Sequence, residues 1–481
     1  MTTTRWLFGD QLGPQFVPDP DQPLLLVEST AVLRRHRFHR QKAHLVLSAM
    51  RHRAAELGDQ VRYVRHETYG EGLRTRDAYE MVQPTSRSAD AFVRSRGIPV
   101  LDEPLGFATT REEFAAFMAG RKAAKMEDFY RWQRVRLDVL MHGDEPEGGR
   151  WNLDHENREP PPKAKTLGLP EPWTAEEDEI DQEVRHDLDR WGIETIGVDA
   201  PRWAPATRAE ALQALQHFVA TRLPTFGAVE DAMLEHDPWM SHSALSPAIN
   251  LGLLHPLEVV EAALEARADV PLASLEGFVR QVIGWREWMW HLYWHAGLTG
   301  HDALHARRHV PEWYRDLDPS DVQARCLKNV LTDLRDRGWV HHIPRLMVLG
   351  NYALQRGWDP AELTEWFHTR FVDGYDWVML PNVTGMSQYA DGGLVATKPY
   401  ASGGAYLNRM SDYCGGCPYD PKKRVGEDAC PFTAGYWAFL DRNRDRLAGN
   451  HRMRQPLAGL SRLSDLDVVV EQERRRGDDP P

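Results

Sequence analysis

Apolar and polar positions follow two different rhythms along this chain. Short apolar or β-branched runs at 5–9 (RWLFG), 23–28 (PLLLVE) and 61–66 (VRYVRH) predict strands, and 79–84 (YEMVQP) and 98–103 (IPVLDE) predict two weaker ones. Between them, 41–57 (QKAHLVLSAMRHRAAEL) repeats its apolar positions at the helical spacing of three and four. Strand and helix in alternation predict a parallel sheet covered by helices, an α/β Rossmann-like domain over 1–135. The GDQL segment at 9–12 follows the first strand, at the carboxyl edge where such sheets bind ligands. It is not a GxGxxG fingerprint, so a dinucleotide site is not expected there.

The rhythm fades over 136–225, which is rich in Pro, Gly and acid and reads as a connector over the surface with one or two short helices. From 226 to 481 helical spacing dominates. The runs 257–266, 275–297, 321–338 and 361–377 predict an all-α C-terminal domain. No internal repeat interrupts it. The polar tail EQERRRGDDPP (471–481) is expected to be disordered.

Composition sharpens this outline. At 481 residues, 42% hydrophobic and 27% charged, the chain is globular and too long for one ordinary core. No apolar run approaches the ~20 residues needed to span a bilayer. The start lacks a basic region followed by an apolar stretch, so a cytoplasmic protein acting as a monomer is expected. The net charge of −13 argues against a nucleic-acid partner as a global sum, but phosphate binding needs only a local basic surface. Segments 422–424 (KKR), 442–446 (RNRDR) and 451–454 (HRMR) are candidates for one.

Three of the four cysteines fall in one Gly-rich polar loop, CGGCPYDPKKRVGEDAC at 414–430. A CxxC pair, Cys414 and Cys417, can grip one metal centre from a single turn. Cys430 follows, and Cys326 would complete the set from a predicted helix. Four thiolates suit tetrahedral zinc or an iron–sulfur cluster, and spacing alone leaves the metal open.

That loop lies among LPNVTGMSQYADGG (380–393), KPYASGGAYLNRMSDYCGGCPYDP (398–421) and CPFTAGYWAFLDRN (430–443). Together these segments resemble the iron–sulfur bacterial cryptochrome and photolyase family, the prokaryotic (6-4) photolyases. Further matches run in order along the chain: FGDQL, SAMRH, GGRWNLDHENR, HSALSPAINLGLLHPLEVV, FVRQVIGWREW, HHIPRLMVLGNYAL and WFHTRFVDGYDWV. The resemblance implies an N-terminal antenna-binding domain and a helical FAD-binding domain. It implies FAD, a [4Fe-4S] cluster and a 6,7-dimethyl-8-ribityllumazine antenna. The partner it implies is UV-damaged DNA, and the activity is light-driven reversal of (6-4) pyrimidine photoproducts.

Site residues follow from the same resemblance. Ser243, Leu245 and Ser246 lie in the turn expected at the flavin pyrophosphate. Arg280, Trp285 and Glu287 match the helix bordering flavin and lesion, and Asp373 the loop that closes over the flavin ring. Tyr400 and Tyr406 match residues near flavin and lesion, and Trp366 a tryptophan of the photoreduction chain. By its count from Asp373, Met379 would stand opposite flavin N5, where its thioether cannot donate a proton. Cys326, Cys414, Cys417 and Cys430 each sit in a matching segment as cluster ligands. His341 and His342 are the candidates for proton transfer to the lesion, with His342 the expected donor, because histidine titrates near neutrality. Asp10, Gln11 and Glu28, at strand ends, are candidates for an antenna site. Two other readings compete: a cryptochrome-type photoreceptor with the same cofactors, and a zinc-stapled nucleic-acid-binding protein without enzymatic activity.

Overall fold

The computed structural model describes residues 3–74, 77–121 and 123–481. Strands β1 (Thr4–Leu7), β2 (Leu24–Ser29), β3 (Val61–His66), β4 (Tyr79–Val82) and β5 (Val100–Leu101) form the expected sheet. All neighbouring strands pair in parallel, in the order β3-β2-β1-β4-β5. Alternate side chains face opposite layers. Leu7, Leu24, Leu26 and Val82 join a large core shared with the helices, whereas Trp6, Leu25, Val27 and Met81 form a second core on the other face. The chain order reverses between β1 and β4, and a crevice opens there beyond the strand ends.

The shared core does not stop at the sheet. It takes in Leu45, Tyr130, Phe218, Phe278 and Ile283. Within the expected connector, the helix Arg208–Thr221 buries Ala211, Leu215 and Phe218 in that core rather than lying on the surface. A second helix, Glu179–Arg190, covers the helix Arg40–Leu57 through Val184 and Leu188.

The C-terminal half is helical throughout, with differences from the expected runs that matter for the site. The 275–297 run is helix Leu272–Val279, a π-helical segment Arg280–Arg286, and helix Glu287–His295. Two more π segments occur at Pro344–Gly350 and Pro381–Ser387. The 361–377 run is broken between helices Pro360–Arg370 and Asp376–Leu380. Gly374 makes the break possible, because a Cβ there would lie 2.7 Å from the carbonyl oxygens of Phe367 and His368.

The tail expected to be disordered is ordered. Helix Leu466–Arg476 packs on helix Pro431–Arg442, and Glu473 forms a buried ion pair with Arg356. Beyond it, Asp478 accepts hydrogen bonds from Trp313 Nε1 (2.7 Å) and Trp358 Nε1 (3.0 Å) and pairs with Arg308 at 2.6 Å. Polar composition suggested a free end, but these polar groups have buried partners supplied by distant segments. No helix among the described residues is long and apolar enough to cross a membrane.

Candidate active site

The break at 371–375 presents Asp373 to two different elements, the π segment of Arg345 and the short helix Ser246–Asn250. Arg345 of a π segment grips its carboxylate with two bonds of 2.9 Å, and the Ser246 hydroxyl donates to it at 2.6 Å. Asn250 Nδ2 donates to the Asp373 carbonyl at 3.1 Å. Asp373 is buried, and this is a charge-assisted, fully partnered arrangement. Arg345 and Asn250 carry no motif of their own, and sequence reading missed them. Ser246 gives its one hydrogen to Asp373, so it can offer a phosphate no donor in this arrangement. Ser243 accepts from the Leu245 amide at 3.4 Å, and Leu245 is buried. Between them Ala244 holds φ 53°, a left-handed conformation unusual for alanine and of the kind that clusters at ligand sites.

Beside this turn, Trp173, Trp203, Arg222, His242 and Ser243 line a partly open cleft. Arg222 Nε, Glu230 Oε2, Trp339 Nε1 and His341 Nδ1 are buried in the same region without protein partners. Buried polar atoms are rarely left unpartnered, so these fit a polar, planar ligand such as a flavin.

His342 lies on the other side of His242, half exposed, with Nε2 3.5 Å from Asp231. Helix begins at His342, so His341 precedes it rather than sharing a helical face. Around His342 runs a network of charges. Arg158 meets Asp154 (2.8 Å), Glu230 (3.4 Å) and Asp231 (3.5 Å), and Arg280 meets Asp154 (2.8 Å) and Glu276 (3.2 Å). Burial raises the Asp231 carboxyl, but the hydrogen bond and charge of His342 hold it below the usual range. Tyr400 and Tyr406 are part-buried and both feel the charges of Arg158 and Asp231. The structure therefore gathers His342, Tyr400 and Tyr406 around the charges of Asp231 and Arg158, with Arg280 buried beside them through Asp154. Asp154, Arg158, Glu230 and Asp231 belong with them; the mixed charges of DHENR were the signal that could have found two of these.

Other expected residues lie elsewhere. Glu287 is fully buried, accepts from the Ala108 and Thr109 amides at 2.9 and 3.1 Å and pairs with Arg286 at 3.0 Å, so it ties the two halves of the chain together. Burial pushes its carboxyl up to about 7. Trp285 packs beside Trp288 and Met289. Met379 sits in the helix Asp376–Leu380, buried with Ile343, Met347 and Phe367 in an apolar core. Trp366 is buried, donates to the Tyr314 carbonyl at 3.1 Å and lies 4.6 Å from the Tyr314 ring.

Cys326, in the first turn of helix Arg325–Arg337, lines one cavity with Cys414, Cys417 and Cys430. Arg325 ties this helix to the loop through the Gly416 carbonyl (3.2 Å), and Gly404 lets the backbone approach Cys430, since a Cβ there would meet Sγ at 2.8 Å. Burial and then the neighbouring sulfurs push the Cys326 thiol well up, and Cys414 rises to about 12 for the same reasons. Cys326 and Cys430 are buried and Cys414 and Cys417 half-buried, and thiolates crowded in one cavity are stabilised by a bound cation. Among the described residues, the triads whose ligand atoms converge within 4.8 Å are His242–His341–His342 and His52–Asp178–Asp181, and none includes a cysteine. Tetrahedral zinc needs sulfurs about 3.8 Å apart. This wider set fits a larger group. Nearby, Lys423 pairs with Asp428 (2.5 Å) and Arg424 with Asp465 (3.0 Å), so the KKR segment is largely neutralised.

At the sheet edge, Asp10 accepts from the Thr85 hydroxyl, and Gln11 bridges the ends of β1 and β4 through the Phe8 amide and the Val82 and Gln83 carbonyls. Both line a cavity of about 380 Å³ with Gln83, Arg286 and Trp290. Both amide atoms of Gln83, Arg286 Nε and Trp290 Nε1 are buried without partners. Glu28 is not part of it: its carboxylate is taken by Arg51 (2.9 and 3.1 Å) and by the Tyr63 hydroxyl.

Comparison with known proteins agrees with this geometry. The family model described as deoxyribodipyrimidine photo-lyase-related protein matches residues 5–203. A (6-4) photolyase of Agrobacterium fabrum is 40% identical over 488 aligned positions, covering 95% of each chain. A crystal structure of a bacterial class III photolyase from Agrobacterium tumefaciens superimposes with a TM-score of 0.59 over 99% of this chain and 96% of that one, at 14% identity, which speaks to the fold. With a relative that similar along nearly its whole length, the chain belongs to the photolyase family, in the group of the bacterial (6-4) photolyases.

Proposed function

We propose that the protein is a light-driven DNA repair enzyme that reverses (6-4) pyrimidine photoproducts, with FAD, a [4Fe-4S] cluster and a lumazine antenna. The observation that carries this reading is the grouping of His342, Tyr400 and Tyr406 around Asp231, with His342 one turn of chain from Arg345 of the Asp373–Arg345–Ser246 cluster. FAD supplies light-driven electron transfer to the lesion and back. The chain's own residues do the rest. Ser243 and the backbone of its turn would hold the flavin, with Asp373 ordering that turn through Ser246, and the rotation of a lesion out of the duplex would bring it to His342. His342 Nε2, held by Asp231, is the proton donor to the lesion. Tyr400 and Tyr406, whose phenols burial keeps protonated, lie near Asp231 and offer hydrogen bonds. Arg158, half exposed, would be available to DNA phosphate or base oxygens, whereas Arg280 is buried on Asp154 and Glu276 and would act by holding that network.

Cys326, Cys414, Cys417 and Cys430 would hold the cluster, joining the loop to a core helix. The cavity of Asp10, Gln83, Arg286 and Trp290 would hold the antenna, where its orphaned donors and acceptors meet a ring edge. The test is an oligonucleotide bearing a single (6-4) photoproduct, illuminated with blue light beside a dark control. Restoration of the paired thymines in the light alone is expected. Bleaching and recovery of flavin absorption without any repair would favour the signalling reading instead.

A further inference from the structure

His242 is used by none of the roles above, yet it is the centre of the histidine group. Its ring stacks on His341 at 4.2 Å with 19° between planes, and meets His342 at 5.2 Å and 70°. His341 and His342 are further from each other, at 6.0 Å. His242 Nε2 lies 3.1 Å from the Glu230 carbonyl oxygen, which can only accept, so Nε2 carries the hydrogen. The residue stands immediately before Ser243 and so ties the flavin-side turn to the proton-donor pair.

The ligand nitrogens of the three rings lie within 4.8 Å of one another, but they do not form a metal chelate. A metal ion must lie in the plane of each ligating imidazole. The planes of His242 and His341 are nearly parallel and stacked, so no point lies in both at bonding distance. What the cluster can share is a proton. Three bases this close hold only one comfortably, because a second charge would meet the first with little water between.

We propose that His242 is a positioning residue which, as a neutral ring packed against both His341 and His342, confines the proton of the site to His342. This rests on the reading of His342 as proton donor. Its support is geometric. His242 is bound through Nε2–H, and His341 is buried with Nδ1 facing no acceptor or donor. His342 is half exposed and has Asp231 beside it. Burial, and then the charge of neighbouring rings and Arg345, lowers the basicity of both His242 and His341. The charged groups facing the trio are Arg345 on the same helical stretch and Arg222, Glu230, Asp231, Arg158 and Arg280 from other elements; only the Asp231 carboxylate is within reach of a ring nitrogen.

The test uses the flavin-loaded protein. Histidine labelled at the ring, followed by NMR from pH 5 to 8, should show one of the three resonances titrating, and that resonance should vanish in His342→Ala. Two titrating rings in the trio would overturn the proposal without any variant having to fold. In variants, His242→Ala removes the ring and admits water to His341. Repair at pH 7 should fall by roughly tenfold, a fraction of the 10²–10⁴ carried by a proton donor, and its alkaline midpoint should move. His242→Phe keeps a flat neutral ring in the stack and should hold both the yield and the midpoint near those of the parent. A Phe variant as impaired as Ala, or an Ala variant with bound flavin and an unchanged pH profile, would overturn it. If His342→Ala repairs normally, the proton-donor reading itself fails; if it is inactive while His242→Ala matches the parent, only the role of His242 fails.

Discussion

His342 and His291 show how one residue type takes opposite parts in this protein. His342 is half exposed beside a carboxylate, the setting for a group that gives and regains a proton. His342→Ala is expected to lose repair by about 10²–10⁴ while flavin absorption of the purified protein stays unchanged. His291 is fully buried, stacks on Phe114 at 4.2 Å, and has no partner on either ring nitrogen. Burial lowers its value to about 3. The unfolded chain protonates this ring below about 6.5, but the folded chain does so only near 3, so its contribution to stability is lost as pH falls between those values. The loss is about 1.4 kcal/mol per pH unit. His291→Phe should therefore gain on the parent as pH falls from 7 to 5, read as a melting-temperature difference that grows with acidity. A difference constant over that range would show that the ring is hydrated or already charged.

At the scale of elements, the turn at 371–375 decides where the cofactor side of the site forms. Asp373 is held by the π segment of Arg345 and by Ser246 and Asn250 of one short helix, so two elements must pack correctly on the turn before it is satisfied. Arg345→Met would leave that carboxylate buried and unpaired, which costs about 3–5 kcal/mol. A lower melting temperature and reduced flavin content are expected. Adding Asp373→Leu should restore part of the stability without restoring the flavin, because the pair is replaced by an apolar contact. Recovery of flavin in the double variant would remove Asp373 from the binding site. The tail is a second case. The Pro481 carbonyl accepts from the Gln323 and Ala324 amides at 2.6 and 2.8 Å, just ahead of the helix that carries Cys326. Removing 477–481 should lower the retention of iron during purification more than it lowers the melting temperature.

Across the whole molecule, the sheet and helical halves meet through buried polar contacts as well as apolar ones. Lys42 reaches from the sheet half to the His368 carbonyl at 2.6 Å and to the Gly374 carbonyl, in the turn beside Asp373. The cavity of Asp10 and Gln83 and the Asp373–Arg345 cluster are thus fixed with respect to each other by the same packing. The cysteine set tests the assembly as a whole. Protein purified without oxygen should contain about four irons with matching sulfide and no stoichiometric zinc, since a [4Fe-4S] cluster takes four thiolates. Zinc in one-to-one amount would overturn the cluster. In the cavity of Asp10 and Gln83, Gln83→Leu removes two unpartnered polar atoms. It should raise the melting temperature of the antenna-free protein and reduce the lumazine recovered by mild denaturation.

The sequence by itself determined the parallel sheet, the helical second half and the grouping of four cysteines. Each rests on local periodicity or on spacing along the chain, and both survive folding unchanged. The ordered run of matches from FGDQL to WFHTRFVDGYDWV also determined the family. What only the tertiary structure decided depends on partners far apart in the chain. Asp231 and Asp154 reach His342 and Arg280 from separate segments, and Arg345 finds Asp373 across a break that periodicity alone reads as continuous helix. Glu28 looked free at a strand end until Arg51 and Tyr63 claimed it, and the polar tail looked disordered until Trp313 and Trp358 gave it partners. Spacing along the chain carries the period of an element, but burial and charge pairing are set by what folding brings alongside it.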